Sequence, residues 1–243
     1  MIIILGKLLW KNKILFMAKE NFIHVCFVID ESGSMYRSTE DVIGGFKSTI
    51  EEQKKVKDGK CAVSLFKFSG TVNEVYLGKD VNEIENLEYI AGGCTAMNDG
   101  IGTAIDKVGK WLSDMNEEDR PSKNLIVIMT DGAENASKEY SFNRVKEMIK
   151  HQEEKYSWTF MYMGTDITSM EDVNKLGIRM SSFSARKDYM SNYSVVNEAT
   201  TMYRSLKADV STAAATMDAF LSASVDDITT KYEAENNIKI KNL

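Results

Sequence analysis

The sequence predicts an α/β fold, a doubly wound and mostly parallel sheet with one antiparallel edge strand, followed by C-terminal helices. Three observations carry this. Short apolar runs of strand length recur along the chain, helical patterns alternate with them, and after about residue 187 only helical patterns remain.

The first run, FIHVCFVI at 22–29, is almost continuously apolar and ends in a polar, glycine-containing loop, as a strand buried on both faces does. CAVSLFKF (61–68) and TVNEVYL (71–77) are separated only by Ser69 and Gly70, a hairpin spacing that supplies the antiparallel edge strand. NLIVIMT (124–130) and SWTFMYM (157–163) are further apolar strands, and IRMSSF (178–183) is short enough to close the sheet. Helices are expected from Val42 to Lys55, Met97 to Leu112, Phe142 to His151, and Ser169 to Leu176 with Gly177 as the stop. Strand and helix in alternation imply βαβ units, with helices on both faces of the sheet.

Residues 17–186 are thus read as one domain, 1–16 as an N-terminal extension and 187–243 as a helical C-terminal extension. The opening MIIILGKLLWKNKILF is interrupted by Lys7, Lys11 and Lys13, too short and too charged to span a membrane. Met17 reads as a natural start, with an amphipathic anchor at 1–16 as the alternative. In the C-terminal part, Tyr189, Tyr193, Val196, Thr200 and Tyr203 share one helical face. Val210, Ala213, Ala214, Met217, Phe220 and Leu221 form a second stripe. Docking on the domain is the ordinary use of such stripes; self-association into a homo-oligomer is the alternative.

A formal charge of −6 argues against a nucleic-acid partner, which would need a surplus of Lys and Arg. Cys26, Cys61 and Cys94 are odd in number and lack CxxC spacing, so free thiols in a reducing, cytoplasmic setting are expected.

In a sheet of this class ligands bind where the loops leave the C-terminal strand ends. Three such loops are dense in small oxygen donors: Asp30-Glu31-Ser32-Gly33-Ser34, Gly92-Gly93-Cys94-Thr95, and Thr130-Asp131-Gly132. Two carboxylates and three hydroxyls form a hard donor set suited to Mg²⁺, with Mn²⁺ or Ca²⁺ as alternatives, and poorly suited to zinc or copper. The alternation in DxSxS lets Asp30, Ser32 and Ser34 point one way, with Gly33 allowing the turn. Each loop alone also reads as a helix N-cap; all three in this order do not.

These segments resemble the metal-ion-dependent adhesion site of von Willebrand factor A domains. FVIDESGSM is similar to its first segment, Thr95 in GGCTAMNDGI to its second and Asp131 in IVIMTDGAEN to its third, and the likeness spans roughly 22–183. TDGAENASKEY, YSWTFMYMGTDI and KLGI are similar to bacterial and bacteriophage members in particular; for a phage protein the cytoplasm would be the host's. The resemblance implies direct coordination of the ion by Ser32, Ser34 and Thr95, with Asp30 and Asp131 acting largely through water. It implies a last ligand supplied by an Asp or Glu of a protein partner. Asp99 and Glu134 are candidates for supporting positions around the ion.

Of the remaining candidates, Glu31 is expected to point away from the ion into solvent. His24 is expected in the core and His151 at the surface, and Asp166 reads as a turn residue. The function expected is therefore a metal-dependent protein-binding module and not an enzyme. An aspartyl-phosphate hydrolase would want a second acid two residues after Asp30, where Ser32 stands. A structural protein whose metal only stiffens loops, while the C-terminal helices self-associate, is the alternative, and a Mg²⁺-dependent phosphohydrolase is favoured least.

Overall fold

Strand β1 (Phe22–Asp30) is the central element of the sheet, and alternation along it divides the molecule in two. Ile23, Val25, Phe27 and Ile29 enter one apolar cluster, while Cys26 and Val28 enter a second on the opposite face. The computed structural model describes residues 22–164, 175–178, 180–183 and 189–205. Within these, β1 is followed by helix α1 (Thr39–Lys55), strands β2 (Lys60–Phe68) and β3 (Val72–Asp80), and helix α2 (Met97–Asp114). Strand β4 (Lys123–Met129), helix α3 (Phe142–Tyr156), strands β5 (Thr159–Gly164) and β6 (Met180–Phe183), and helix α4 (Tyr189–Ser205) complete the order.

The six strands lie in the order β3-β2-β1-β4-β5-β6. All neighbours are parallel except β2 and β3, the antiparallel hairpin, whose register shifts at Val63/Leu65 and Leu65/Phe66. The doubly wound reading with one antiparallel edge strand therefore holds. Helices α1 and α4 contribute Val42, Phe46, Ile50, Tyr193, Val196 and Ala199 to the first cluster. Helices α2 and α3 contribute Ile101, Ile105, Val108, Val145 and Ile149 to the second. The chain runs from β1 to β2 on one side and returns to β4 on the other, so the β1/β4 boundary is where the strand order reverses. In sheets of this class ligands bind outside the C-terminal strand ends at such a reversal.

Several elements differ from the sequence reading. β3 runs on to Asp80 beyond the expected Leu77, and a 3₁₀ turn (Gly33–Ser38) leads directly into α1, which starts at Thr39 rather than Val42. Glu40 and Asp41 in its first turn suit the positive end of the helix dipole. The boundary drawn at 187 cuts through packed structure. Tyr193 of α4 lies against α1 at Gly45 and donates to the Val42 carbonyl at 3.2 Å. Buried Arg204 donates to the carbonyls of Gln53 (2.9 Å), Val56 and Asp58, closing the C-terminal end of α1. Helix α4 is thus a wall of the domain and uses its Tyr193, Val196 and Thr200 face to be one. The Val210–Leu221 stripe, residues 1–16, Asp166 and most of the expected 169–176 helix lie outside the described residues; Lys175 and Leu176 are helical, and Gly177 follows with φ +84°.

Candidate functional site

Register brings the first and third loops together. Ile29 of β1 pairs with Met129 of β4, so the next residues, Asp30 and Thr130, leave the sheet side by side. Thr130 Oγ1 donates to Asp30 Oδ2 at 2.6 Å, and the same hydroxyl accepts the Gly132 N–H at 3.0 Å. The other carboxylate oxygen of Asp30 accepts the Ser32 N–H at 2.6 Å, a turn that sets Ser32 Oγ 3.0 Å from Ser34 Oγ. Tyr89 OH donates to the Asp30 carbonyl at 2.6 Å and fixes the end of β1 from a distant segment.

The second loop is stitched to the first through its backbone: Gly92 N–H donates to Glu31 O at 2.7 Å and Gly33 N–H to Gly93 O at 3.1 Å. The glycine that the turn requires is Gly93, at φ +87°, whereas Gly33 has an ordinary φ and meets nothing closer than Gly93 O at 3.5 Å. Thr95 is held to the third loop. Its N–H donates to Asn135 Oδ1 at 2.9 Å, and its carbonyl accepts from Asn135 and Ala136. A methyl group at Gly132 would lie 2.8 Å from Thr95 Oγ1 and 3.3 Å from Asp30 Oδ2, so Thr95 and Asp30 converge across a position that only glycine leaves open.

Asp30, Ser32, Thr95 and Asp131 are buried, and Ser34 is at the surface. Burial pushes the Asp30 carboxyl up to about 6, against the pull of the Thr130 and Ser32 hydrogen bonds, and the neighbouring Asp131 charge adds to the rise. Asp131 is 6% exposed and its Oδ1 has no hydrogen-bond partner among the described residues. No Lys or Arg among them pairs with either acid. Two adjacent buried carboxylates without a counter-charge are costly, and a cation between the loops would offset that cost. The described residues hold no group of three or more His, Cys, Asp and Glu side chains that could bind a metal. An ion here would therefore rest on hydroxyls, a donor set for Mg²⁺ or Mn²⁺ rather than zinc.

Asp99 and Glu134 support the loops, and both oxygens of each carboxylate accept hydrogen bonds from the loop backbone. Asp99 accepts the N–H groups of Lys138, Glu139 and Tyr140 at 2.8–2.9 Å. Glu134 accepts from Asn98 N–H, Ala136 N–H, Ser137 N–H and Ser137 Oγ. Because α2 has no side-chain cap of its own, Glu134 and Ser137 satisfy its first free N–H groups from the third loop.

Glu31 departs from the solvated role expected of it. It forms a largely buried ion pair with Lys67 at 2.8 Å and accepts the Ile90 N–H. His24 is fully buried, with Nε2 2.8 Å from Ser64 Oγ, and burial holds its pKa down to about 3. His151 is exposed. Of the residues that shape the site, Tyr89 and Asn135 were given no role from sequence, and Thr130 appeared there only as part of the third loop. Thr130 was detectable only as the neighbour of Asp131, and its role depends on sheet register. Tyr89 and Asn135 carry no local signal.

The fold has solved counterparts, all distant in sequence. The PilB minor pilin from Streptococcus sanguinis is 12% identical, with a TM-score of 0.54 over 77% of this chain and 62% of its own. Proximal thread matrix protein 1 from the mussel byssus is 18% identical, with a TM-score of 0.51 over 74% and 46%. A von Willebrand factor type A protein from Catenulispora acidiphila is 14% identical, with a TM-score of 0.50 over 76% and 43%. The chain spans less than two thirds of the length of each. No curated protein matches it. The family profile of the von Willebrand factor type A domain, however, matches residues 24–202, from the first strand into α4, and the chain belongs to that family.

Proposed function

We propose that this chain is a protein-binding module whose contact depends on a divalent metal, Mg²⁺ by preference. The observation that carries this reading is the buried Asp30 carboxylate converging with Thr95 across Gly132, with the buried Asp131 charge beside it and no cationic partner for either acid among the described residues. Ser32, Ser34 and Thr95 would offer hydroxyls to the ion, with Asp30 and Asp131 balancing its charge directly or through water. Once held, such an ion supplies a Lewis-acidic point for a carboxylate of another molecule.

The chain's own residues do the positioning. Thr130 and the Ser32 N–H orient the Asp30 carboxylate, Asn135 fixes the Thr95 backbone, and Glu134 and Asp99 brace the loops beneath. Binding rather than catalysis is favoured by the chemistry at hand. Ser32 occupies the place where a hydrolase of this topology would carry its acid. The one Ser–His contact among the described residues, Ser64 with His24, lies wholly inside the sheet, where Ser64 Oγ also accepts the Gly78 N–H. The three unpaired cysteines suit a reducing compartment.

The test is affinity capture from the source cell by the full chain, with Mg²⁺ and with chelator, beside the Asp30→Ala and Ser32→Ala variants. Capture lost in both variants and in chelator, with circular dichroism unchanged, supports the proposal. Capture that survives chelation and both substitutions overturns it.

A further inference from the structure

We infer that the partner segment joins an apolar side chain and a second acidic group to the carboxylate that reaches the ion, received by Tyr36, Ile90 and Arg37. The inference rests on the metal-dependent reading above and specifies its partner. Among the described residues four large hydrophobic side chains are exposed: Tyr36, Val75, Ile90 and Tyr156. Val75 lies on the edge strand β3 and Tyr156 at the end of α3, stacked edge-on with His151. The two most exposed, Tyr36 at 74% and Ile90 at 84%, belong instead to the segments that build the site.

Tyr36 follows Ser34 by two residues in the 3₁₀ turn. Ile90 follows Tyr89, whose hydroxyl holds the Asp30 carbonyl, and its own N–H is held by Glu31 Oε1 at 3.2 Å. These bonds, with those from Gly92 to Glu31 and Gly33 to Gly93, fix both residues to the first loop. Tyr36 and Ile90 are the most exposed large apolar side chains among the described residues, both on segments braced around the site, and aromatic and aliphatic side chains so placed are suited to anchor a partner.

The 3₁₀ turn also places a charge. With three residues per turn, positions i and i+3 share an edge. Met35 and Ser38 form the buried edge, Gly33 and Tyr36 an exposed one, and Ser34 and Arg37 another. Arg37 therefore shares an exposed edge with the proposed ligand Ser34, and no ion pair or hydrogen bond engages its guanidinium among the described residues. Lys67, the nearby cation, is instead spent on Glu31 and the Glu88 carbonyl. A free guanidinium on this edge favours a second carboxylate and steers an acidic segment toward the site. An acidic residue with an acidic and an apolar neighbour matches the three features together.

The probe is a random linear peptide library panned on the full chain in Mg²⁺ and eluted with chelator. Eluted peptides should carry Asp or Glu with an aliphatic or aromatic residue and a further acid close by. Tyr36→Ser, Ile90→Ser and Arg37→Ser should each weaken such a peptide roughly five- to tenfold, as interface side chains of this kind do, while leaving Mg²⁺ affinity unchanged. Acidic peptides without an apolar preference, or unchanged peptide affinity in all three variants, would overturn the inference and leave the metal-dependent reading standing. Failure to recover any chelator-eluted peptide from the folded chain would count against both.

Discussion

Gly132 is the residue on which the convergence of the loops can be tested most simply. A Cβ there presses on Thr95 Oγ1 and Asp30 Oδ2, so Gly132→Ala should lower Mg²⁺ affinity by roughly 10–100-fold, the range for disturbed support around metal ligands. Isothermal titration alongside circular dichroism would show this, with the fold retained. Protonation gives a second handle. Since Asp30 is pushed up to about 6, a proton competes with the ion below that pH. Mg²⁺ affinity should fall about tenfold per pH unit under pH 6 and level off above it. His24 acts on stability instead. Its pKa, held down to about 3 from 6.5, keeps it neutral in the fold while the unfolded chain takes up a proton, so stability is lost as pH falls below 6.5. Between pH 7 and pH 5 the wild type should lose about 2 kcal/mol more than His24→Gln in urea denaturation. The loops of Asp30, Ser32, Ser34, Thr95 and Asp131 could be picked out from sequence because each is a short glycine-containing segment at a strand or helix end. The hold of Thr130 and Tyr89 on Asp30 could not. Their bonds to Asp30 join residues 100 and 59 positions apart, and only the register of β1 against β4 and the path of the 84–91 segment create them. Glu31 was misread for the same reason, since its partner Lys67 comes from β2.

At the scale of elements, α4 docks on the domain as its stripe suggested. Its apolar face was visible in the sequence, but a stripe does not say what covers it. Here α1 does, because Gly45 opens the space that the Tyr193 ring occupies. A Cβ at Gly45 would fall on that ring, so Gly45→Ala should destabilise the domain by about 1–3 kcal/mol through overpacking. Gly109 is the contrast: it lies within α2 with nothing close to its added Cβ. Gly109→Ala should stabilise by about 0.5–1 kcal/mol, since it removes backbone freedom from the unfolded chain. Thermal melts of the two variants should move in opposite directions. The strands were the most legible elements, since runs such as NLIVIM admit little besides a buried strand. The start of α1 was less so, because a 3₁₀ turn carries no distinct hydrophobic period.

For the whole molecule, alternation of strands and helices was enough to predict a doubly wound sheet, and the reversal of strand order between β1 and β4 then fixes where a ligand belongs. The same arrangement makes the ion, on this account, a tie between three loops drawn from distant parts of the chain. An ion that binds only the folded state at a hundred times its dissociation constant adds about 2.7 kcal/mol. For a domain of this size that should raise the melting temperature by about 5–10 °C.

The most direct test of the account is Mg²⁺ titration of the full chain by isothermal calorimetry, beside Asp131→Asn and Ser34→Ala. One saturating site is expected in the wild type, lost in Asp131→Asn and strongly weakened in Ser34→Ala, with all three proteins folded. Equal Mg²⁺ binding by wild type and Asp131→Asn, or a folded wild type that binds none in the millimolar range, would contradict it.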